Sequence, residues 1–285
     1  MAKKEKEEAV ARPFIKWVGG KTQLLDEILE FVPEKVGTYY EPFLGGGAVF
    51  FALARKKTFE RAVISDLNLQ LCLTYEVIAQ DVEMLITRLK RRKVAYMEAP
   101  DRRAYYLQER ASPSMTPLGI AARFIFLNKT GFNGLFRVNA KGEFNVPWGQ
   151  HEDPPICDEE NLRLCSDALA GVTILNRPFA DLRGSPVAGD LVYFDPPYVP
   201  VNPTSNFTKY TKEGFELHQQ EELAKLFAEL AGAGVRVIAS NADVPLVREL
   251  YQGFDIHSVQ ARRSINSKGG KRGPVGEVLI VGGPS

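Results

Sequence analysis

The sequence predicts a doubly wound α/β fold of the Rossmann-like kind, a mainly parallel sheet with helices on both faces and an inserted, mostly helical lobe. Three observations predict it. Short apolar runs alternate with helix-periodic stretches, a glycine-rich loop follows the first run directly, and the alternation lapses over a polar, basic segment at about 81–170.

Taken in order, Thr38-Tyr39-Tyr40-Glu41-Pro42-Phe43 reads as a strand, Leu44-Gly45-Gly46-Gly47 as its loop, and Ala48 to Ala54 as an apolar helix. Ala62-Val63-Ile64-Ser65 is a buried strand ending in Asp66, with a helical stretch from Leu69 to Ala79 behind it. From about Asp81 to Arg110 the chain looks helical and is rich in Arg and Lys, until Ser112-Pro113-Ser114-Met115-Thr116-Pro117 breaks the pattern. Between Asn128 and Gly149 lies an Asn-, Gly- and aromatic-rich stretch centred on a hairpin-like run from Phe136 to Val146. Strand-like runs return at Val172–Leu175, Leu191–Phe194 and Val235–Ile238, with a helix from His218 to Leu230 before the last. The expected organisation is a tail at 1–11, a main domain from 12–80 and 171–285, and a lobe at 81–170.

Bulk composition bounds the partners less than the fold. With 285 residues, 45% of them hydrophobic, the chain can bury a sizeable core. Lys and Arg number 36 against 35 Asp and Glu, so only local basic patches bear on a nucleic-acid partner. Cys72, Cys157 and Cys165 form no C-x-x-C pair and the three histidines have no metal-binding spacing, which argues against a disulfide framework and against a metal site. No apolar run approaches the roughly 20 residues of a membrane span, and the charged start is unlike a signal peptide. A reducing, cytoplasmic setting is expected.

In an open parallel sheet, ligands bind beyond the carboxyl ends of the strands, where glycines let them approach the backbone without meeting a Cβ. Gly45 and Gly47 suit that role, and Asp66 ends the next strand, where such folds place a carboxylate for ribose hydroxyls. Together they point to a nucleoside-bearing ligand, although a glycine cluster alone is as readily a tight turn. Phe50 stands where a dinucleotide site wants a small residue, which disfavours a nicotinamide cofactor. Gly19-Gly20-Lys21-Thr22 resembles part of a phosphate loop, but Ile15 occupies the position of its first glycine.

Leu191 to Phe194 deliver Asp195 to the carboxyl edge of the sheet, and Pro196 and Pro197 have no N–H with which to continue the ladder. Asp195-Pro196-Pro197-Tyr198 therefore groups a carboxylate, a stiffly held carbonyl and a flat ring. That combination suits a planar amine.

Five segments closely resemble the DNA adenine methylase (Dam-like) family, the α-group N6-adenine methyltransferases, in matching order from about residue 12 to 281. They are Pro13-Phe14-Ile15-Lys16-Trp17-Val18-Gly19-Gly20-Lys21, Glu41 through Phe50, Asp66-Leu67-Asn68, Phe132 through Pro147, and Asp195-Pro196-Pro197-Tyr198. The resemblance implies an S-adenosylmethionine-dependent enzyme that needs no metal, yields S-adenosylhomocysteine, and methylates the exocyclic amine of adenine in double-stranded DNA, at GATC. It also implies that the target base is flipped out of the duplex, at a cost of a few kcal/mol, and that the enzyme is a monomer of bacterial or phage origin. Amine methylation of cytosine or RNA, or a non-catalytic DNA-binding relative, are the alternatives that the hairpin and the intact tetrapeptide argue against.

By the same resemblance, Asp195, Pro196 and Tyr198 carry the chemistry, and Lys16, Trp17, Lys21, Pro42, Phe43, Gly45, Gly47, Asp66, Phe179 and Asp195 bind the cofactor. Pro178 replaces the Asp that precedes this Phe in many members. The inserted lobe would read DNA, with Asn133, Arg137, Asn139, Lys141 and Asn145 at the hairpin and Arg91 and Arg92 among the phosphate contacts. The Gly- and Ser-rich basic stretch around Arg262, Arg263, Lys268, Lys271 and Arg272 is expected to order on DNA.

Overall fold

The computed structural model describes residues 9–199, 215–259 and 276–284, so the start of the expected tail and the basic stretch at 262–272 lie outside the described residues. Among the described residues the helices are α1 (Leu25–Leu29), α2 (Ala48–Lys56), α3 (Leu69–Glu98), α4 (Arg102–Ala111), α5 (Pro117–Thr130), α6 (Glu159–Ala168), α7 (Leu217–Gly232) and α8 (Pro245–Leu250). The strands are β1 (Val36–Glu41), β2 (Phe59–Asp66), β3 (Thr173–Asn176), β4 (Leu191–Phe194), β5 (Arg236–Ala242), β6 (Asp255–Val259) and β7 (Glu277–Gly282). The chain divides into two compact units. The first comprises 1–20, 45–56 and 68–174, and the second 21–44, 57–67 and 175–285. The expected lobe at 81–170 lies wholly within the first unit, joined there by α2 and the start of α3, which pack with α5 and α6.

The second unit is built on a seven-stranded sheet in the order β3-β2-β1-β4-β5-β7-β6, the α/β architecture that the alternating runs predict. β1 pairs in parallel with β2 and β4, and β4 with β5. β7, next to the edge strand β6, runs antiparallel to both β5 and β6, a reversal that the alternating runs do not predict. Strand side chains alternate between faces. On one face Tyr40, Val192, Phe194, Val237, Ala239, Val278 and Ile280 pack against Leu223, Leu226, Phe227 and Leu230 of α7 and against Val247 and Tyr251. On the other face Tyr39, Tyr193, Ile238 and Leu279 are equally buried, as a parallel sheet requires. Asp190 fastens the amino ends of β1 and β4, its buried carboxylate accepting from Thr38 N at 2.7 Å and from Val187 N at 2.9 Å.

In the first unit, four helices begin at a polar side chain that accepts from an otherwise orphaned amide. Asn68, Asp101, Thr116 and Asp158 take the amides of Leu71, Ala104, Gly119 and Asn161. The helical stretches expected at 69–79 and 81–110 are divided elsewhere. α3 runs on through a break at Asp81 (φ −138°, ψ 36°) and ends only at Glu98, because Pro100 disfavours helical backbone at the residue before it. α5, buried from Ala121 through Asn128, is apolar nearly all round, as suits a helix enclosed by others. The hairpin narrows to one antiparallel bridge, Val138 with Phe144.

Tyr251 brings a polar atom into the core beneath the sheet. Its ring packs edge-on to Phe227 at 5.2 Å, yet its hydroxyl, in a residue 1% exposed, has no hydrogen-bond partner among the described residues. An unmet buried donor costs about 1–3 kcal/mol. Tyr251→Phe, which keeps the ring, is therefore expected to raise the thermal midpoint; a lowered midpoint in a melting experiment would contradict this.

Candidate functional site

The site in the second unit starts from strand register. β4 pairs Phe194 with Ala239 of β5, so the next residues, Asp195 and Ser240, come side by side at the carboxyl edge. Lys21 reaches the same point from the turn Lys21–Gln23, its Nζ 2.7 Å from Asp195 Oδ1. Ser240 Oγ donates to that same oxygen at 3.0 Å and meets the Tyr193 hydroxyl at 3.0 Å on its other side. The side chain of Lys21 is 6% exposed and that of Asp195 19%. Burial raises the Asp195 carboxyl above the ordinary aspartate range, Lys21 and Ser240 pull it back, and the carboxylate of Glu277 adds to the rise. Among the described residues no donor reaches Asp195 Oδ2 or the Pro196 carbonyl.

The prolines leave the strand end with few amides, and its hold comes from side chains. Gln220 Nε2 donates to the Pro197 carbonyl at 2.9 Å, Asn241 Nδ2 donates to Gln220 Oε1 at 3.2 Å, and Asn241 Oδ1 accepts from Val199 N at 3.1 Å. Tyr198 is fixed at both ends. Its hydroxyl donates to Glu277 Oε2 at 2.8 Å, and the Lys21 ammonium lies 4.8 Å from its ring centroid. Burial holds the Tyr198 phenol neutral by raising its pKa well above the ordinary value. Neither Gln220, Ser240, Asn241 nor Glu277 belongs to a short motif, so sequence reasoning missed them.

Around the same edge, Phe43 stacks on Phe179 at 5.5 Å and meets Phe215 at 5.6 Å, while Pro42 is buried. Asp66 ends β2 half-buried, its carbonyl accepting from Asn176 Nδ2 at 2.9 Å. Pro178 is exposed and starts the turn Phe179–Leu182, where it has no amide to donate.

The first unit carries the remaining predicted residues. Trp17 stacks between Phe124 at 6.2 Å and Phe136 at 5.9 Å. Gly45 lies against this indole in left-handed backbone (φ 49°), and a Cβ there would fall 2.6 Å from Trp17 Cδ1. Gly47 shares the left-handed conformation (φ 68°). Lys16 is exposed, and its backbone is clasped by Asn128, which accepts from Lys16 N at 3.0 Å and donates to Lys16 O and Gly134 O, both at 2.8 Å. That clasp was not read from the sequence.

The hairpin residues fall into two kinds. Arg137 is exposed and steadied by Asn145, Nε to Oδ1 at 2.6 Å and Nη2 to the carbonyl at 3.1 Å; Lys141 is exposed and Asn133 half-buried in left-handed backbone (φ 56°). Asn139 is committed to the turn itself, accepting from Lys141 N and Glu143 N and donating to Glu143 Oε2 at 2.8 Å. Of the two helix arginines, Arg91 is exposed. Arg92 departs from the expected phosphate contact: its side chain is 15% exposed, paired with Glu109 at 3.1 Å and set 5.5 Å from the Phe126 ring.

Comparison with known proteins bears on what such a site does. The family model of the D12 class N6 adenine-specific DNA methyltransferases matches residues 17–265. The type II methyltransferase M.MjaIII of Methanocaldococcus jannaschii is 43% identical, with 95% of this chain and 98% of that protein aligned. The type II methyltransferase M1.LlaDCHI of Lactococcus lactis subsp. cremoris is 40% identical over 95% of each chain. The DNA adenine methylase of Escherichia coli K12 is 35% identical, again over 95% of each.

Two glycines separate conformational strain from crowding. Gly142 has left-handed backbone (φ 77°) with nothing within 4 Å of a new Cβ. Gly142→Ala is expected to cost only the about 1–2 kcal/mol of that conformation, whereas Gly45→Ala must also displace Trp17 and is expected to cost more in chemical denaturation. Equal losses would show that the Gly45–Trp17 contact imposes no constraint.

Proposed function

The chain belongs to the D12 class N6 adenine-specific DNA methyltransferases, and from that premise we propose how its residues perform the reaction. The lone pair of an adenine amine is delocalised into the ring, which makes it a poor nucleophile. Two acceptors on its hydrogens draw the nitrogen toward a tetrahedral form with the lone pair outward. Asp195 Oδ2 and the Pro196 carbonyl are the two acceptors, and the observation that carries this reading is that no donor among the described residues reaches either. The ring of Tyr198 stacks on the flipped base, the kind of contact worth about 1–3 kcal/mol per base.

S-adenosylmethionine supplies an activated sulfonium methyl, so the protein's task is alignment and local electrostatics. The residues present fit this cofactor. In the second unit Asp66 offers a carboxylate to ribose hydroxyls, Phe43 and Phe179 offer stacked rings, and Lys21 fixes Asp195. In the first unit the left-handed glycines at Gly45 and Gly47 leave backbone bare beside Trp17. As the amine gains its methyl it becomes cationic, and the Asp195 carboxylate stabilises that charge and receives the departing proton.

The DNA is double-stranded and its target GATC, with Arg137 reading guanine from the major groove and Arg91 and Lys141 exposed for contact. Support comes from the hairpin's likeness to Dam-like enzymes and from the fixed aim that Asn145 gives Arg137. The enzyme acts as a cytoplasmic monomer.

Digestion of methylated DNA to nucleosides is expected to yield N6-methyladenine; methylcytosine instead would overturn the reading. Asp195→Ala is expected to lower kcat by about 100–1,000-fold while DNA binding by mobility shift stays intact. Because Asp195 must be ionised and burial raises its pKa, the rate is expected to fall as pH drops through a value above the ordinary aspartate pKa of about 3.9. Arg137→Ala is expected to relax discrimination at one guanine position by about 1–3 kcal/mol, read as methylation of sites altered there.

A further inference from the structure

We propose that Ser240, itself oriented by Tyr193, is a positioning residue that fixes which oxygen of Asp195 faces the target amine. The proposal rests on the reading of Asp195 as the amine's acceptor and goes beyond it. A carboxylate held by one lysine can turn and offer either oxygen. Here two donors converge on one oxygen, Lys21 Nζ at 2.7 Å and Ser240 Oγ at 3.0 Å, both to Oδ1. Rotation would break both bonds, so Oδ1 stays with these donors and Oδ2 is the oxygen left for the amine.

Two phenols face Ser240 on its other side, Tyr193 and Tyr198, and the Tyr198 hydroxyl is already committed to Glu277. Against an ionised carboxylate Ser240 must donate, so the hydrogen in its contact with Tyr193, at 3.0 Å, comes from Tyr193. Burial raises the Tyr193 phenol well above its ordinary value, which makes it a permanent donor. A chain of donors thus runs from Tyr193 Oη to Ser240 Oγ to Asp195 Oδ1. Register builds it, since Tyr193 and Asp195 share a face of β4 and its extension while Ser240 is their neighbour on β5. Ser240 is 0% exposed, so the buried environment shields the relay from bulk water. The other charged or titratable groups that act on this cluster are Lys21, Glu41, Tyr39, Tyr198 and Glu277, all unchanged in the variants below.

The experiment measures single-turnover rates against pH for the parent, Ser240→Ala, Tyr193→Phe, the double variant and Asp195→Asn, with melting and S-adenosylmethionine binding as checks on folding. Ser240→Ala is expected to slow methyl transfer about tenfold, to leave KM for DNA and cofactor near the parent values, and to move the acid limb to higher pH. Tyr193→Phe, which never touches Asp195, is expected to shift rate and acid limb the same way by less. In the Ser240→Ala background its effect is expected to vanish, since the relay is already cut. A parent-like rate and acid limb in Ser240→Ala, or a Tyr193→Phe effect that persists in full in the double variant, would overturn the relay while an inactive Asp195→Asn left the acceptor role standing. A parent-like Asp195→Asn would overturn both.

Discussion

The buried ion pair between Lys21 and Asp195 is the constraint around which the second unit's edge is organised. Two charges removed from water cost several kcal/mol each, and mutual attraction offsets this only when further hydrogen bonds complete the geometry. Ser240 supplies one such bond, and the Lys21 ammonium lies over the Tyr198 ring. A hydrophobic pair of similar volume would be easier to bury but could not receive an amine. On the proposed mechanism the pair is thus explained by chemistry rather than by stability.

The second constraint is rigidity without backbone pairing. Pro196 and Pro197 end β4 and remove the amides that would normally anchor a loop, so the carbonyl of Pro197 and the amide of Val199 are held by Gln220 and Asn241 instead. That places a helix residue and a neighbouring strand residue in charge of a backbone whose own donors are gone. Alignment within a few tenths of an ångström matters more here than any single contact energy, because the methyl donor is already activated.

Much of the fold was legible because its signals are local. The run Leu191–Phe194 was read with its observed bounds, and the glycine loop, Asp66 and Asp195 all stood out by residue type at strand ends. Lys21 is harder: only the family resemblance singles it out, and its meeting with a carboxylate 174 positions away is what gives it meaning. Ser240, Asn241 and Glu277 were illegible for the same reason, since register and not sequence spacing brings them to the tetrapeptide. Arg92 shows the converse, a helix arginine in a basic run whose pairing with Glu109 no spacing reveals. β6 and β7 lie beyond the last strand-like run that the alternation marks, and the reversal of β7 is set by pairing alone, since an apolar run carries no mark of its direction.

The reversed strand also orders events in time. β7 sits between β5 and β6 although it is the last of the described strands, so β6 has no place in the sheet until residues 277–282 have been made. Its first residue, Glu277, takes the Tyr198 hydroxyl, which means that the aromatic platform too waits on the final strand. During synthesis the 81 residues from 196 to 276 must therefore follow Asp195 before Glu277 can complete its surroundings. Competence to modify a genome arrives late, with the closing of the sheet.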